Sequence, residues 1–181
     1  MRILVISDSH RKTNIIDEII AKHNDIKHIF FLGDNASDIE DFEFIYPDRF
    51  FHSVCGNCDF ASFLPTVGLE VIDGKRIFYT HGHTFSVKYG LSRLKEIAEQ
   101  NNYDIVLFGH THVSQILYED GRYYVNPGSC AKSRDGSRNS YAIIDIEENG
   151  ILPNIIEIWA KRKMVGGKPR PFFFLNTLVI K

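Results

Sequence analysis

Near its N-terminus the chain carries the stretch ILVISDSH, residues 3–10, in which an apolar run ends at an acid and a histidine. Short apolar runs of this kind predict buried β-strands. The pattern recurs, and the six runs are residues 3–6, 29–32, 50–54, 77–79, 105–108 and 123–125. Polar segments follow them: Asp8-Ser9-His10, Gly33-Asp34-Asn35, Gly56-Asn57-Cys58-Asp59, His81-Gly82-His83, Gly109-His110-Thr111-His112 and Asn126-Pro127-Gly128-Ser129.

We expect these polar segments to meet, because ligands gather beyond the carboxyl ends of strands in sheets of this kind. Seven of their side chains are candidate metal ligands: Asp8, His10, Asp34, Asn57, His81, His110 and His112. Seven are too many for one tetrahedral zinc ion and suit two ions that share a carboxylate. Such a pair, about 3.5–4 Å apart, supports phosphoryl displacement and supplies hydroxide at neutral pH. Asp, His and Asn ligands suit Mn, Fe, Zn or Mg rather than a soft thiolate site. Mn is the expected ion, but ligand type alone does not decide between Mn and Fe, Zn, Ni or Mg.

The first half of the chain alternates strand and helix patterns. Apolar residues at helical spacing predict helices over 14–22 and 91–100, and a weaker helix after Ser37. Asp73-Gly74 and Asp120-Gly121 lie between strand patterns and predict hairpins. After Pro127 the pattern is purely β, over 141–146 and 151–159. An α/β half followed by hairpins predicts two packed sheets flanked by helices.

The composition indicates one soluble globular domain. The chain has 181 residues, 44% hydrophobic and 24% charged, with a net charge of -2. That charge argues against a surface for long nucleic acids. Three cysteines, an odd number, suit a reducing cytoplasm, and the first residues do not have the pattern of a signal peptide. We therefore expect a cytoplasmic protein with no membrane span. His23, His28 and His52 are expected to be solvated, on helix or loop surfaces.

Residues 161–181 form an unusual tail. Its first part is basic and 172–180 is strongly apolar. We predict a domain over 1–160, with the tail packed on the body as an extra edge strand or docked segment. The alternative is an interface with a second copy in a homodimer. The apolar stretch is too short to span a membrane.

The series Asp-x-His, Gly-Asp, Gly-Asn-x-Asp, His-Gly and Gly-His-Thr-His, in that order over residues 8–112, resembles the calcineurin-like metallophosphoesterase superfamily. The short chain and the Gly-Asn-Cys-Asp variant at 56–59 are most similar to its YfcE-type branch of small bacterial and archaeal phosphodiesterases. Each motif alone is weak, but the five in order are highly specific. The resemblance covers about residues 2–146 or somewhat beyond.

This resemblance implies a fold, ligand roles and an activity. The fold is an α/β architecture, a four-layer α/β/β/α sandwich of two mixed β-sheets flanked by helices. The first metal would take Asp8, His10 and His112. The second would take Asn57, His81 and His110, and Asp34 would bridge the two, as would an attacking hydroxide. The activity is metal-dependent hydrolysis of phosphoric diesters, with Asp34, Asn57 and His81 as catalytic residues.

The chain departs from the superfamily pattern at three places. Many members carry a His after Gly-Asn that contacts the phosphoryl group, and Cys58 in its place leaves the general acid open. Phosphoprotein phosphatases and dinucleotide tetraphosphatases carry Asp-Arg-Gly after the second motif. Here that run reads Gly33-Asp34-Asn35-Ala36-Ser37, which weakens both interpretations. No family motif can be carried over onto the segment after Trp159.

Three residues are candidates for substrate binding: Arg11, Cys58 and His83. Arg11 follows His10 and could contact a phosphate, with a solvated charge as the alternative. His83 follows His81 at strand spacing and could bind phosphate, support the second metal, or serve packing alone. The Cys55-x-x-Cys58 spacing resembles a redox or zinc motif, but Asn57 is already required as a ligand and no second Cys pair exists.

Other functions are a phosphomonoesterase, a nuclease or a noncatalytic protein-interaction scaffold. The same fold serves as a scaffold in the retromer coat, where metal ligands have eroded, whereas all seven positions here keep suitable residues. Nucleases of the superfamily carry extra DNA-binding regions, for which this chain has neither the length nor the basic surface. The expected partner is therefore a small phosphodiester substrate.

Overall fold

The computed structural model describes residues 1–60, 62–148, 150–165 and 168–173, with side chains described as far as Trp159. Its strands are β1 (Arg2–Ile6), β2 (His28–Phe31), β3 (Phe50–Ser53), β4 (Val67–Ile72), β5 (Lys75–Thr80), β6 (Ile105–Leu107), β7 (Ser114–Glu119), β8 (Arg122–Pro127), β9 (Ser140–Glu147), β10 (Gly150–Glu157), β11 (Ala160–Val165) and β12 (Lys168–Phe173). Its α-helices are α1 (Thr13–Lys22), α2 (Ser37–Glu40), α3 (Phe42–Ile45) and α4 (Ser92–Asn101), and two 3₁₀ turns cover His83–Phe85 and Val87–Tyr89.

Two mixed five-stranded sheets form the body of the molecule. Their strand orders are β10-β9-β1-β2-β3 and β4-β5-β6-β8-β7. Strands β1, β2 and β3 run parallel, as do β5, β6 and β8, while β4, β7, β9 and β10 are antiparallel to their neighbours. The parallel strands put six strand ends, three from each sheet, at the edges where the polar segments begin.

Apolar side chains fill three layers between these elements. Ile3 and Val5 of β1 pack with Ile105 and Leu107 of β6 between the two sheets. The alternate β1 residues pack with the isoleucines of α1 on the outer face of the first sheet. Helix α4 covers the outer face of the second sheet. Because α1 and α4 lie on opposite outer faces, the predicted α/β/β/α sandwich is confirmed.

Most predicted elements are confirmed, with small differences. Helices 14–22 and 91–100 correspond to α1 and α4, but the helix expected after Ser37 is two separate turns, α2 and α3. The Asp73-Gly74 and Asp120-Gly121 pairs join β4 to β5 and β7 to β8 with positive φ at all four residues, which is the type I′ requirement.

The expectation that His28 and His52 lie solvated on helices or loops is wrong. They belong to neighbouring strands β2 and β3, and their rings stack with centroids 5.3 Å apart. His23 is half-buried and its Nε2 lies 2.8 Å from the hydroxyl of Tyr141.

The tail begins as a hairpin. Strands β11 and β12 pair antiparallel, with Ala160 opposite Phe173, in a two-stranded sheet separate from the two main sheets. The segment is therefore not an extra edge strand over these residues. Residues 174–181, which hold most of the apolar tail, lie outside the described part of the chain, so docking on the body or in a homodimer stays a prediction. Among the described residues, no helix is long and apolar enough to cross a membrane.

Candidate metal centre

The predicted ligands come from five strand ends. Asp8 follows β1, Asp34 follows β2, and Asn57 lies in the loop after β3. His81 follows β5 directly, and His110 comes three residues after β6. Because parallel strands present their carboxyl ends at one edge, residues from both sheets meet there.

One group contains Asp8, His10, Asp34 and His112. Each offers one ligand atom, and these four atoms all lie within 4.8 Å of one another. Nε2 of His112 lies 3.1 Å from Oδ1 of Asp8 and 3.2 Å from Nε2 of His10. Asp8, Asp34 and His112 are buried and His10 is half-buried, so the group is largely shielded from bulk water.

A second group surrounds Nε2 of His81. That nitrogen lies 3.1 Å from Nδ1 of His110, 3.3 Å from Oδ1 of Asn57 and 3.4 Å from Oδ1 of Asp34. Asp34 therefore belongs to both groups. The structure brings all seven predicted side chains together, while their roles as metal ligands stay a prediction.

The donor atoms fit divalent cations. Nδ1 of His81 lies 2.6 Å from the carbonyl of Leu32, and Nδ1 of His112 lies 2.6 Å from the carbonyl of Lys132. A carbonyl only accepts, so each Nδ1 carries the hydrogen and Nε2 of the neutral ring presents a lone pair. Oδ1 of Asp8, which faces Nε2 of His112, is buried without a hydrogen-bond partner. A proton can satisfy one such contact, whereas a cation satisfies all of them together.

The backbone at these positions is strained. Five of the seven candidate ligands have positive φ: Asp8 (55°), His10 (45°), Asp34 (59°), His110 (66°) and His112 (62°). Each such conformation costs on the order of 1–3 kcal/mol and tends to occur at functional sites. Glycines permit the close approach: a Cβ at Gly56 would lie 2.3 Å from Oδ1 of Asp34, and one at Gly109 would lie 2.1 Å from Oγ of Ser7.

Asp59 holds the two loops that carry Asp34 and Asn57. Its carboxylate accepts hydrogen bonds from the backbone N–H groups of Asp34 (3.1 Å), Asn35 (2.8 Å), Ala36 (2.8 Å) and Gly56 (2.6 Å). Four donors on one carboxylate are strong, charge-assisted contacts that fix the loop geometry. Asp59 thus positions ligands and does not belong to either group itself.

Asp38 is a supporting residue that sequence reasoning missed. It is buried, and its Oδ2 accepts hydrogen bonds at 2.7 Å from the hydroxyl of Ser9 and the backbone N–H of Arg11. No sequence pattern marks it, because it lies in the single turn of α2. The 126–129 loop does lie near the centre, where Ser129 donates to the carbonyl of Asp8 at 2.8 Å.

The ionisation states favour metal binding at neutral pH. Burial lowers the pKa of His110 to about 4. Burial also lowers the pKa of His10. Burial would raise the pKa of Asp8, but contacts with His112, His81 and Ser7 outweigh it, and the pKa lies below its ordinary value. Neutral imidazoles and an ionised carboxylate are the forms that bind metal.

Two of the three candidate substrate-binding residues, Cys58 and His83, lie against the two groups, and Arg11 lines the cavity beside Cys58. Cys58 donates from its backbone N–H to Oδ1 of Asp34 at 3.0 Å and from its thiol to Oδ2 at 3.3 Å. Burial and the neighbouring Asp34 raise the pKa of Cys58 to about 11, so the thiol stays protonated. The His83 ring centroid lies 5.4 Å from that of His81, and its buried Nδ1 has no hydrogen-bond partner. Arg11 and Cys58 line one cavity of about 360 Å³.

Comparison with protein families gives a match over most of the chain. The model of the calcineurin-like phosphoesterase superfamily domain matches residues 1–149. The probable metallophosphoesterase YsnB of Bacillus subtilis is 30% identical over 151 residues, which cover 82% of this chain and 86% of YsnB. The phosphodiesterase MJ0936 of Methanocaldococcus jannaschii is 27% identical over 173 residues, covering 87% of this chain and 100% of MJ0936.

Relatives of another kind also match. Vacuolar protein sorting-associated protein 29 of Schizosaccharomyces pombe is 33% identical over 103 residues, covering 57% of this chain and 52% of that protein. A predicted phosphoesterase from Streptococcus pneumoniae shares the fold with a TM-score of 0.76 at 24% identity, covering 96% and 97% of the two chains. Vps29 from Entamoeba histolytica, solved with Zn²⁺, has a TM-score of 0.70 at 20% identity, covering 97% and 99%.

Proposed function

This chain belongs to the calcineurin-like phosphoesterase superfamily, and we propose that it is a binuclear-metal-dependent phosphodiesterase. The superfamily supports a metal-dependent phosphoesterase activity in general. The restriction to diesters draws support from the phosphodiesterase MJ0936, because the match covers all of MJ0936 and 87% of this chain. The requirement for two metals draws support from the number of ligand side chains.

The observation that carries the proposal is the position of Asp34 between two sets of donor atoms. On one side its ligand atom lies within 4.8 Å of those of Asp8, His10 and His112. On the other side its Oδ1 lies 3.4 Å from Nε2 of His81, which also faces Asn57 and His110. One carboxylate between two sets of three donors is the arrangement that suits two cations about 3.5–4 Å apart.

The residues of the chain bind and orient the reacting groups. Bound divalent cations supply Lewis acidity here, lowering the pKa of water and neutralising charge on the phosphoryl group. The carbonyls of Leu32 and Lys132 fix the tautomers of His81 and His112 and so keep their Nε2 atoms aimed inward. The negative charge of Asp34 is shared between both halves of the centre.

Arg11 and His83 are suited to holding the phosphate. Among the described residues, the Arg11 guanidinium has no ion pair or hydrogen bond, and it lines the cavity beside Cys58. His83 lies beside His81 and His110, with ring centroids 5.4 and 6.2 Å away. A fork of guanidinium donors on one side and an imidazole on the other would contact the non-bridging oxygens of a diester.

A scaffold without catalysis is the second candidate, because Vps29 proteins match this chain in sequence and fold. The sequence argues against a scaffold because metal ligands have eroded in the retromer coat, whereas this chain keeps suitable residues at all seven positions. A Vps29 solved with Zn²⁺ shows that metal binding alone does not separate the two classes. Hydrolysis is therefore the property that distinguishes them.

The test is a metal-by-substrate screen on protein freed of metal by exhaustive chelation. Mn²⁺, Fe²⁺, Zn²⁺, Ni²⁺ and Mg²⁺ are each added back against bis(p-nitrophenyl) phosphate, p-nitrophenyl phosphate and cyclic nucleotides. We expect no turnover without metal, restoration by Mn²⁺ among the best metals, and faster hydrolysis of the diester than of the monoester.

Two outcomes would count against the proposal. Full activity in protein that metal analysis shows to be empty would rule out a metal mechanism. No hydrolysis with any metal, although the metals bind, would favour the scaffold. Asp25→Asn is a matched control for acid-to-amide changes in the centre, because Asp25 is exposed in the loop before β2, away from the strand ends that carry the ligands.

A further inference from the structure

A cavity of about 360 Å³ adjoins the metal centre and shares a wall with it. Cys58 forms that wall: its side chain lines the cavity, and its thiol contacts Oδ2 of Asp34 at 3.3 Å. A substrate whose phosphate lies at the centre would therefore have this cavity beside it for an arm attached to that phosphate. The volume lies at the lower end of the range of about 300–1,000 Å³ for small-molecule sites, which limits the occupant to one compact group.

Several polar groups in this cavity have no protein partner. Among the described residues, the side chains of Arg11, Asn35, Ser37 and Glu40 line the cavity and make no hydrogen bond or ion pair. The backbone behind them is nevertheless fixed, since Asp38 holds the N–H of Arg11 and Asp59 holds that of Asn35. Arg11, Ser37 and Glu40 are exposed to solvent, so these groups contact water and can contact a ligand in its place.

An aromatic ring completes the lining. Phe60 is 97% exposed and borders the cavity, two residues from the wall formed by Cys58. A phenyl ring left in water next to unpaired polar groups is a stacking surface for a flat ring of the ligand.

The lining excludes other classes of substrate arm. A long acyl chain would place apolar surface against Arg11, Asn35 and Glu40. A polyphosphate arm would bring negative charge against two carboxylates of the lining, Glu40 and Asp59, with Arg11 as the single cation to offset them. A flat heterocycle with both donors and acceptors on its edge, joined to a hydroxyl-bearing sugar, matches the amide of Asn35, the acceptor at Glu40 and the face of Phe60 together.

We propose that this cavity binds the nucleoside arm of a nucleoside phosphodiester, with the base against Phe60 and the polar edge of the arm against Asn35 and Glu40. The inference rests on the proposed phosphodiesterase function and names its substrate class. The cavity has room for one nucleoside and not two, so the other arm of the diester is the leaving group and lies outside it.

The test compares three diesters with the same p-nitrophenolate leaving group, using the full chain loaded with its most active metal. Their second arms are uridine through its 5′ oxygen, the same sugar without a base, and methyl. Because the bond that breaks is the same, differences in kcat/KM report binding of the second arm. We expect the uridine ester to exceed the baseless ester by about tenfold, the size expected of one base–aromatic stack.

Matched variants locate the effect. Phe60→Leu should bring the ratio of kcat/KM for the uridine ester to that for the baseless ester close to one. Phe63 is a fully exposed neighbour that does not line the cavity, so Phe63→Leu should leave this ratio unchanged. Glu40→Gln should lower the ratio of kcat/KM for the baseless ester to that for the methyl ester. Glu43→Gln, on a residue outside the cavity lining, should leave this ratio unchanged.

The outcomes separate the two proposals. If none of the three esters is hydrolysed, the phosphodiesterase proposal fails and this inference fails with it. If all three are hydrolysed with equal kcat/KM, or if Phe63→Leu removes the uridine preference as fully as Phe60→Leu, the enzyme stands but the nucleoside pocket is overturned.

Discussion

Oδ1 of Asp8, which is buried and has no hydrogen-bond donor, lies 3.1 Å from Nε2 of His112. The hydrogen of that imidazole is on Nδ1, where the carbonyl of Lys132 accepts it at 2.6 Å. A carboxylate oxygen and a nitrogen lone pair repel each other at this distance, so either a proton on Nε2 or a bound cation has to lie between them. A bound cation would satisfy both atoms at once, and Asp8 is the member of this pair that carries the negative charge.

We expect Mn²⁺ to raise the melting temperature of chelated protein. At a metal concentration 100 times Kd the stabilisation is about 2.7 kcal/mol, which is roughly 5–10 °C for a chain of this size. Asp8→Asn should lose most of that shift, because it removes the charge that a cation neutralises. The measurement is a thermal melt with chelator and with Mn²⁺. An equal shift in wild type and Asp8→Asn would contradict the assignment, and Asp25→Asn is the control.

Asp34→Asn should lower kcat by on the order of 10³-fold, because it removes the one negative charge that faces both groups of donors. The loss should exceed that of His83→Ala, since His83 lies beside the centre and not between its halves. The measurement is kcat for bis(p-nitrophenyl) phosphate at saturating metal. Near-normal turnover in Asp34→Asn would show that the centre is assigned wrongly.

The sequence predicted the fold and the seven side chains because both depend on local patterns. A short apolar run followed by Asp or His predicts a strand with a candidate ligand at its carboxyl end. Neighbouring parallel strands bring such ends together at one edge of the sheet. Asp38 escaped prediction because its partners, Ser9 and Arg11, are 29 and 27 residues away and no periodicity links them. Such long-range contacts are visible only in the folded chain.

His28 and His52 were mispredicted for a related reason. A histidine inside a short strand pattern looks polar and is readily taken for a surface residue. Here His28 stacks on Phe50 from the neighbouring strand β3, and His52 stacks on Phe30 of β2 and reaches Glu70 on the other sheet, 3.2 Å away. Pairing between β2 and β3 and packing between two sheet edges decide their environment, and neither is encoded nearby in the sequence.

Asp59→Asn should weaken Mn²⁺ binding by about 10–100-fold. An amide offers one acceptor oxygen, so some of the four N–H groups that Asp59 now holds would lose their partner. Asp34 and Asn57 would then be positioned less tightly. At saturating metal, however, kcat should fall far less than in Asp34→Asn, because Asp59 positions ligands without contacting substrate. Titration calorimetry measures the affinity, with Asp48→Asn as the surface control. Unchanged Mn²⁺ affinity would show that the loops carrying Asp34 and Asn57 keep their geometry without Asp59.

The His28–His52 pair should make stability depend on pH. Nδ1 of His28 lies 3.0 Å from Nε2 of His52, and burial lowers the pKa of both rings below the ordinary value of about 6.5. Below that pH the unfolded chain binds more protons than the folded one, so this contribution to stability is present above about pH 6.5 and is lost as pH falls. Urea unfolding with chelator at pH 7.5 and pH 5 measures the drop. The double variant His28→Gln, His52→Gln should show a smaller drop, and an equal drop would assign the effect to other histidines.

Cys58 should make the enzyme depend on leaving groups that depart without a proton. In the metal-free chain burial and Asp34 raise the pKa of the Cys58 thiol to about 11, and bound cations would lower that value. As a thiol Cys58 is a weak hydrogen-bond donor, and as a thiolate it has no proton to give. General acid catalysis is most efficient when the pKa lies near the working pH, which favours an imidazole over this thiol. We therefore expect aryl diesters, whose leaving groups are stabilised phenolates, to react much faster than alkyl diesters.

Cys58→His should raise kcat/KM for an alkyl diester relative to a matched aryl diester by on the order of 10²-fold, the lower end of general acid effects. Cys58→Ser, which supplies no better acid, should leave the alkyl-to-aryl ratio where it is. If the ratio does not move in Cys58→His while metal content and folding are intact, protonation of the leaving group is not limited by Cys58.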